Sequence, residues 1–326
     1  MGGTDPDRDG AMSGRESMRS WVVVYLKGMF MGAADAVPGV SGGTIALITG
    51  IYERLIAAIT ALDPGALRYL PRIHRRTERA ELRAALVEMD VPFLFALGTG
   101  VATALVTVAR LMDYAFETYP GLVAALFFGL IAASAVVLSE HVSLDTPRRV
   151  AVAVFGFVLA FALSGPEVSN SMPNTPLFVL VAGSIAIAGM ILPGISGAFF
   201  LYILGQYDYL VGTLTTFTDG LAGLGSGGSV GALIEPAVVI LAFGIGALVG
   251  LFSIAYAIRW ALANYREATL TFLVSLMVGA LRLPATRVVE NTPVTTRAAG
   301  SVLVVAAIGG ALVLLVDRYT ADIDFS

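Results

Sequence analysis

The chain has 326 residues, of which 57% are hydrophobic and 13% charged, and its mean hydropathy is +0.83. Because soluble chains carry about 25% charged residues, this composition predicts a protein with several membrane spans and no nucleic-acid partner. The absence of cysteine excludes disulfides and thiolate chemistry. There are only two histidines, His74 and His141, and both are in polar loops, so we predict no metal site and no cofactor.

The apolar segments fall into two sets of five. A polar tail, residues 1–20, comes first, and a connecting loop, 165–176, separates a first membrane repeat, 21–164, from a second, 177–316, which a tail, 317–326, follows. The predicted segments are 21–37, 42–62, 91–112, 120–139 and 150–164, then 177–192, 196–213, 236–258, 267–281 and 299–316.

The two sets are related by an internal duplication. At an offset of 155, the octet that begins at Asp35 aligns with the octet that begins at Met190, and both contain a Pro-Gly-Val/Ile-Ser-Gly sequence. The same offset pairs Gly28 with Gly183, Gly50 with Gly205, Tyr52 with Tyr207 and Glu53 with Asp208, and an offset of 146 pairs Gly98 and Gly100 with Gly244 and Gly246. Chance rarely gives such a match, so we predict a repeat protein.

Five segments per repeat is an odd number, so the repeats are predicted to have opposite orientations in the membrane. With a cytoplasmic N-terminus, fourteen arginines fall in inside loops and three outside, as the positive-inside rule requires. Loop 63–90 holds six arginines, whereas its repeat mate, 214–235, has no basic residue. The predicted fold is therefore an all-α integral membrane protein, an inverted repeat of two five-segment halves, located in the cell membrane.

Each half begins with a broken helix hairpin. Pro38-Gly39 and Pro193-Gly194 end one helix, and Ser41 and Ser196 are suited to cap the next. Backbone exposed by such a break must lie inside protein or line a watery cavity. Two re-entrant hairpins meeting near the midplane satisfy this requirement, although two full spans with a surface turn keep the same topology.

Helix starts of this kind predict an anion site. Ser41 is followed by the free amides of Gly42, Gly43 and Thr44, and side chains that small let a phosphate approach closely. Ser196 and Gly197 offer a second such end. One copy alone is a weak phosphate signal, and a structural kink explains it better, but two copies at matched positions favour a functional site.

Three charged residues complete the predicted binding set. Lys27, the only lysine, and Asp35 lie in an apolar segment, where a charge is costly, so Lys27 is interpreted as the counter-ion of a bound anion and Asp35 as a structural or proton-responsive carboxylate. Snorkelling to the interface is the alternative for Lys27. Arg282 could approach a phosphate from outside, or be an ordinary interface arginine. We place Tyr52, Glu53 and Arg54, like Tyr207 and Asp208, at interfaces, with a Glu53–Arg54 surface pair.

The motifs themselves resemble a known family. Lys27-Gly28, Asp35, the run from Val37 to Thr44, Gly50-Ile51-Tyr52-Glu53-Arg54-Leu55 and, in the second half, Leu192 to Gly197 with Leu204 to Tyr207 are similar to the signature of the polyprenyl-phosphate transporter family over residues 21–283. Departures from the family pattern are Ala280 in place of serine, Ser275 in place of glycine, and a missing tryptophan-containing stretch after Arg282.

The resemblance implies a flippase that returns a polyprenyl phosphate, such as undecaprenyl phosphate, to the cytoplasmic leaflet for cell-envelope synthesis. The residues alone leave a carrier of a small soluble anion equally open. A membrane phosphatase is the third class, but neither histidine lies near a motif to act as nucleophile or general acid, so no enzyme is predicted. The sequence gives no indication of the coupling ion or the oligomeric state.

Overall fold

The computed structural model describes the backbone of residues 6–61, 63, 76–140, 142–165, 172–190 and 196–321, and these ranges are helical with no strand. The predicted all-α fold is confirmed. The helices are α1 (Pro6–Asp35), α2 (Gly42–Ile48), α3 (Tyr52–Thr60), α4 (Arg76–Glu88), α5 (Val91–Thr118), α6 (Pro120–Ser139), α7 (Pro147–Leu163), α8 (Pro176–Met190), α9 (Gly197–Ile203), α10 (Tyr207–Gly223), α11 (Ile234–Phe252), α12 (Ile254–Ala280), α13 (Arg282–Asn291) and α14 (Thr296–Ala321).

Several of these helices match the thickness of a bilayer. Among the described residues, five stretches are long and apolar enough to cross one, which agrees with the predicted multi-pass membrane protein. They are Val91–Thr118, Pro120–Ser139, Val230–Phe252, Trp260–Asn291 and Thr296–Tyr319. α2 and α3 together form a further candidate, but they are bent by 117° at the break between them.

That bend corrects the prediction of a single segment over 42–62. Gly50 has φ +67°, a conformation that glycine adopts without steric cost, and it ends α2. The amide of Gly50 bonds to the carbonyl of Leu47 and that of Ile51 to Ala46, the pair of bonds that defines a Schellman cap. An apolar run hides such a break, because the cap needs a backbone conformation and no polar side chain.

The second half repeats this geometry at the offset of 155. α9 has the same seven-residue length as α2, and α10 begins at Tyr207 as α3 begins at Tyr52. Gly205 has φ +65°, and the amides of Gly205 and Gln206 bond to Tyr202 and Leu201 in the same cap. The predicted single segment 196–213 is therefore also two helices.

The described residues form two compact units. Unit 1 comprises those in Met1–Ala33 and Ile45–Leu105. Its core contains Phe93 and Leu97 of α5 against Val24 of α1, Ala46 of α2 and Ile51. α1 and α5 approach closely, since a methyl group on Gly28 would overlap the carbonyl oxygen of Leu97, and one on Gly100 would overlap that of Tyr25.

Unit 2 comprises the described residues in Ala34–Thr44 and Val106–Ser326. In it α8 packs on α11 as α1 packs on α5: Gly183 faces the carbonyl of Phe243, and Gly246 faces that of Leu180. α6 pairs with α14, and α7 with α12. The main core is built on the buried side chains of Phe127, Phe199, Tyr202, Met277 and Leu283.

Candidate functional site

The first break, residues 36–41, is closed by a carboxylate rather than by the predicted serine. Asp35 is the last residue of α1, and its Oδ1 accepts the amide of Gly42, the first residue of α2, at 2.7 Å. Two predictions are corrected here: α2 begins at Gly42 with Asp35 as its side-chain cap, and the Gly42 amide is not free. A methyl group on residue 42 would overlap the Asp35 carboxylate, so the cap requires glycine.

The next polar groups in α2 remain available. Within the described residues, no hydrogen bond occupies the amides of Gly43 and Thr44 or the hydroxyl of Ser41, whose side chain is 4% exposed. Orphan amides in the first turn of a helix favour an anion. α2 has only two turns, however, and Asp35 already contributes a negative charge, so the attraction comes from individual donors and little from a helix dipole.

The second helix start follows the sequence prediction more closely. Ser196 is fully buried, and its hydroxyl accepts the amide of Ala198 at 3.2 Å, which confirms the predicted cap of α9. Gly197 is also buried. The break before it, Leu192 to Ile195, lies outside the described residues, as do His74 and His141.

Lys27 binds the other end of α2. Its Nζ donates to the carbonyl oxygen of Thr49 at 2.5 Å, one residue beyond the last residue of the helix. A cation is favourable at a helix C-terminus, where carbonyls lack partners. The contact is thus at the C-terminal end of α2, whereas Gly43 and Thr44 belong to its first turn. The geometry assigns Lys27 a helix-end contact that the sequence did not predict.

Arg282 is likewise engaged with a helix end. Its Nη1 donates to the carbonyl oxygen of Phe161 at 2.8 Å, and its guanidinium lies 4.4 Å from the centre of the Phe161 ring. Phe161 is in the last turn of α7, so Arg282 satisfies one of the carbonyls that the helix leaves unpaired. In this arrangement, Arg282 points to protein rather than to an approaching phosphate.

Two side chains that the sequence did not single out as site residues hold the first break in place. The hydroxyl of Tyr207 donates to the carbonyl oxygen of Ala36 at 2.5 Å, and that of Ser134 donates to Gly39 at 2.8 Å. Gly39 has φ +96° and lies against the backbone of Leu130. Tyr207 is 5% exposed and packs inside the protein, whereas Tyr52, its counterpart at the offset of 155, is 40% exposed.

Two ion pairs also differ from the prediction. Arg54 binds Asp90 through two hydrogen bonds, 2.6 and 2.9 Å, so the predicted Glu53–Arg54 pair is wrong. In unit 2, Nη1 of Arg287 donates to Oδ2 of Asp208 at 2.8 Å. Arg287 lies in a segment that sequence reasoning assigned to an outside loop, five residues beyond the candidate Arg282, and no pattern in the sequence connects it with Asp208.

Comparisons with known proteins agree with the family resemblance of the sequence motifs. A family model described as undecaprenyl phosphate translocase-like matches residues 31–300. A "Polyprenyl-phosphate transporter" of Vibrio cholerae is 34% identical over 262 residues, which cover 80% of this chain and 77% of that protein. A protein of the same name from Staphylococcus aureus is 26% identical over 273 residues, covering 80% of this chain and 84% of its own. No solved structure matches the chain.

Proposed function

The chain belongs to the undecaprenyl phosphate translocase-like family, and from that premise we propose that it flips a polyprenyl phosphate across the cell membrane. The predicted resemblance is confirmed, and with it transport of a lipid carrier. The proposed direction is from the outer to the cytoplasmic leaflet, with a cytoplasmic N-terminus, and the proposed purpose is reuse of the carrier in envelope glycan or glycoprotein synthesis.

One observation carries this proposal: the broken elements of both repeats belong to one core. Val37 and Val40 of the first break pack against a cluster that includes Ala198, Phe199 and Tyr207 of α9 and α10. The Tyr207–Ala36 hydrogen bond joins the same elements. A headgroup held at the start of α2 therefore lies close to the second repeat, which supports a shared site.

The proposed headgroup contacts are the donors with no protein partner within the described residues. We assign the phosphate to the Ser41 hydroxyl and the amides of Gly43 and Thr44, and a second, later contact to the region of Ser196 and Gly197. Asp35 and Gly42 shape the first site. Lys27 and Arg282 support it from a distance by fixing the ends of α2 and α7, which changes the roles predicted for them.

Burial of a phosphate charge sets the physical requirement. Burial of an unpaired charge in an apolar interior has a very large free-energy cost. Hydrogen-bond donors of the protein must therefore replace the water that the headgroup loses. The prenyl chain has no such requirement and can remain in lipid throughout. Transport then moves the headgroup alone through protein, and the phosphate monoester leaves chemically unchanged.

The repeats supply a route to alternating access. We propose that the two halves are inverted, which is supported by the matched caps at Gly50 and Gly205 and by the matched crossings of α1 with α5 and of α8 with α11. The pairing of α6 with α14 and α7 with α12 supports the same symmetry, because the fourth span of each half packs on the fifth span of the other. Exchange of equivalent contacts between repeats would open the site to each side in turn.

The test is reconstitution of the full chain in liposomes with a labelled short-chain prenyl phosphate whose leaflet exposure is followed. We expect flipping by the wild type, about a 10-fold loss for Ser41→Ala, which removes one hydrogen bond to a charged group, and no loss for Ser301→Ala, an exposed serine on α14. Absence of flipping by the wild type would refute the lipid function.

Two further readouts separate the other function classes. Excess inorganic phosphate should leave prenyl phosphate flipping unchanged, and strong competition would instead support the soluble-anion carrier. The recovered lipid should still be the monoester, whereas release of phosphate would indicate a phosphatase.

A further inference from the structure

A group of buried polar atoms without partners surrounds the Arg287–Asp208 pair. Within the described residues, five buried side-chain oxygens lack a hydrogen bond, and three of them lie between the end of α9 and the start of α10. These are the hydroxyl of Tyr202, Oε1 of Gln206 and Oδ1 of Asp208. Tyr202 is 2% exposed and Gln206 is fully buried. Such atoms are rare in folded proteins, and each calls for an explanation such as strain, a functional role or a bound water or ion.

Arg287 is the cation of this group. Its guanidinium lies 5.4 Å from the centre of the Tyr202 ring and makes one hydrogen bond, from Nη1 to Oδ2 of Asp208. No other hydrogen bond of ordinary geometry joins the guanidinium to the described residues, although it also interacts with the Tyr202 hydroxyl and, electrostatically, with Glu290. The donors at Nε and Nη2 are therefore the ones that a ligand can use. The side chains of Arg287 and Asp208 are 23% and 41% exposed, whereas Oδ1 of Asp208 and the Tyr202 hydroxyl are themselves buried. A ligand that uses these two oxygens must therefore displace the groups that cover them.

The Arg54–Asp90 pair shows what a purely structural arrangement looks like in the same chain. There Nε and Nη2 of Arg54 bind both carboxylate oxygens, so neither oxygen is left over. A guanidinium fork fits a carboxylate in this bidentate way whenever nothing prevents it. The single bond between Arg287 and Asp208 instead leaves donors on one residue and an acceptor on the other, and a ligand that satisfies both must carry an anionic oxygen and a proton.

We propose that Arg287 and Asp208 bind the headgroup as a singly protonated phosphate monoester. Arg287 donates to an unprotonated phosphate oxygen, Oδ1 of Asp208 accepts the P–OH proton, and the Tyr202 hydroxyl contacts a third oxygen. This inference rests on the proposed function and adds a third contact region, on α10 and α13, to those proposed at the starts of α2 and α9. No bond breaks and no proton leaves the phosphate.

The chemistry of the pair sets the specificity. A sulfate monoester has the same shape and an anionic charge, but it carries no proton at neutral pH, so its oxygen would face the Asp208 carboxylate without a hydrogen bond. A phosphate diester lacks the proton for the same reason. Sites whose polar groups are left unpaired by an analogue reject that analogue strongly. Because this pair is partly exposed, we expect about a 10-fold preference rather than the larger values of fully buried sites.

The test is equilibrium binding of a short-chain prenyl phosphate and of the matching prenyl sulfate to the full chain in detergent. Measurements at pH 6, where about half of a phosphate monoester is the monoanion, make the two ligands comparable in charge. The wild type should prefer the phosphate about 10-fold. Asp208→Asn should abolish the preference by strengthening sulfate binding, because an amide can donate to the sulfate oxygen, and Arg287→Gln should weaken both ligands.

Asp219→Asn is the matched control, since Asp219 pairs with Arg110 at an exposed position of unit 2 and should leave the preference unchanged. Equal binding of phosphate and sulfate by the wild type would overturn the proposal. This result needs no variant, so the test still decides the matter if Asp208→Asn fails to fold. A preference that survives in folded Asp208→Asn would also overturn it. Failure of the proposed function is seen separately, as a phosphate preference without flipping in liposomes.

Discussion

Tyr207 and Ala36 are 171 residues apart, yet the tyrosine hydroxyl donates a 2.5 Å hydrogen bond to the alanine carbonyl. The bond links the first helix break to the start of α10, the helix that follows the bend at Gly205. Ala36 lies between two helices and has no helical partner for its carbonyl. Tyr207 therefore supplies a bond that the backbone of the break does not supply itself.

Removal of that hydroxyl should loosen the break. We predict that Tyr207→Phe lowers the free energy of unfolding by about 1 kcal/mol, because a partly buried carbonyl loses its partner. Thermal unfolding in detergent measures the change. Tyr52→Phe is the control, since this repeat mate is exposed and should change stability little. Equal effects of the two substitutions would contradict a role specific to Tyr207.

The adjacent glycines Gly42 and Gly43 should respond differently to the same substitution. Gly42→Ala places a methyl group on the Asp35 carboxylate, so loss of the cap should cost about 0.5–2 kcal/mol of stability. A methyl group on Gly43 meets only Oγ of Ser41, at 3.5 Å, an ordinary contact distance. We expect Gly43→Ala to fold with normal stability but to bind prenyl phosphate less tightly. Thermal unfolding and prenyl phosphate binding, measured on both variants, separate the effect on the cap of α2 from the effect on ligand affinity.

A backbone prediction concerns the two Schellman caps. Gly50→Ala and Gly205→Ala force alanine into positive φ, which costs about 1–2 kcal/mol each. Gly98→Ala, in the interior of α5 with no atom within 4 Å of the added methyl group, should be neutral or stabilising. Thermal unfolding of the three variants is sufficient, and a destabilised Gly98→Ala would show that glycine matters here for reasons other than φ.

A substitution of Lys27 tests whether this residue stabilises the end of α2 or binds the phosphate directly. Lys27→Met removes the contact with Thr49 at the end of α2, so stability should fall by about 1 kcal/mol. The affinity of the folded variant for prenyl phosphate should stay within about twofold of the wild type, because the ammonium binds the C-terminal end of α2 and the proposed phosphate donors belong to its first turn. A large loss of affinity with unchanged stability would restore the role of direct counter-ion.

Sequence patterns predicted the helical class, the membrane location and the Ser196 cap, because each depends on local residue type or spacing. Sequence patterns did not predict the bends at Gly50 and Gly205, because a Schellman cap depends on backbone conformation and can occur within an apolar run. Three contacts were also not predicted: the cap of α2 by Asp35, the hydrogen bond from Tyr207 to Ala36, and the Arg287–Asp208 pair. Each joins residues that only the folded chain brings together, and neither charge nor periodicity records such a pairing.

The most direct measurement of where the headgroup binds uses a prenyl phosphate with a photoreactive group next to the phosphate. After irradiation of the reconstituted chain, modified peptides are identified by mass spectrometry, with excess unlabelled prenyl phosphate as the competition control. We predict competable modification within residues 35–44 and 196–208, the two helix starts that share a core. Modification confined to other segments, such as α4 or the exposed face of α14, would contradict the proposed binding of the phosphate between the broken helices.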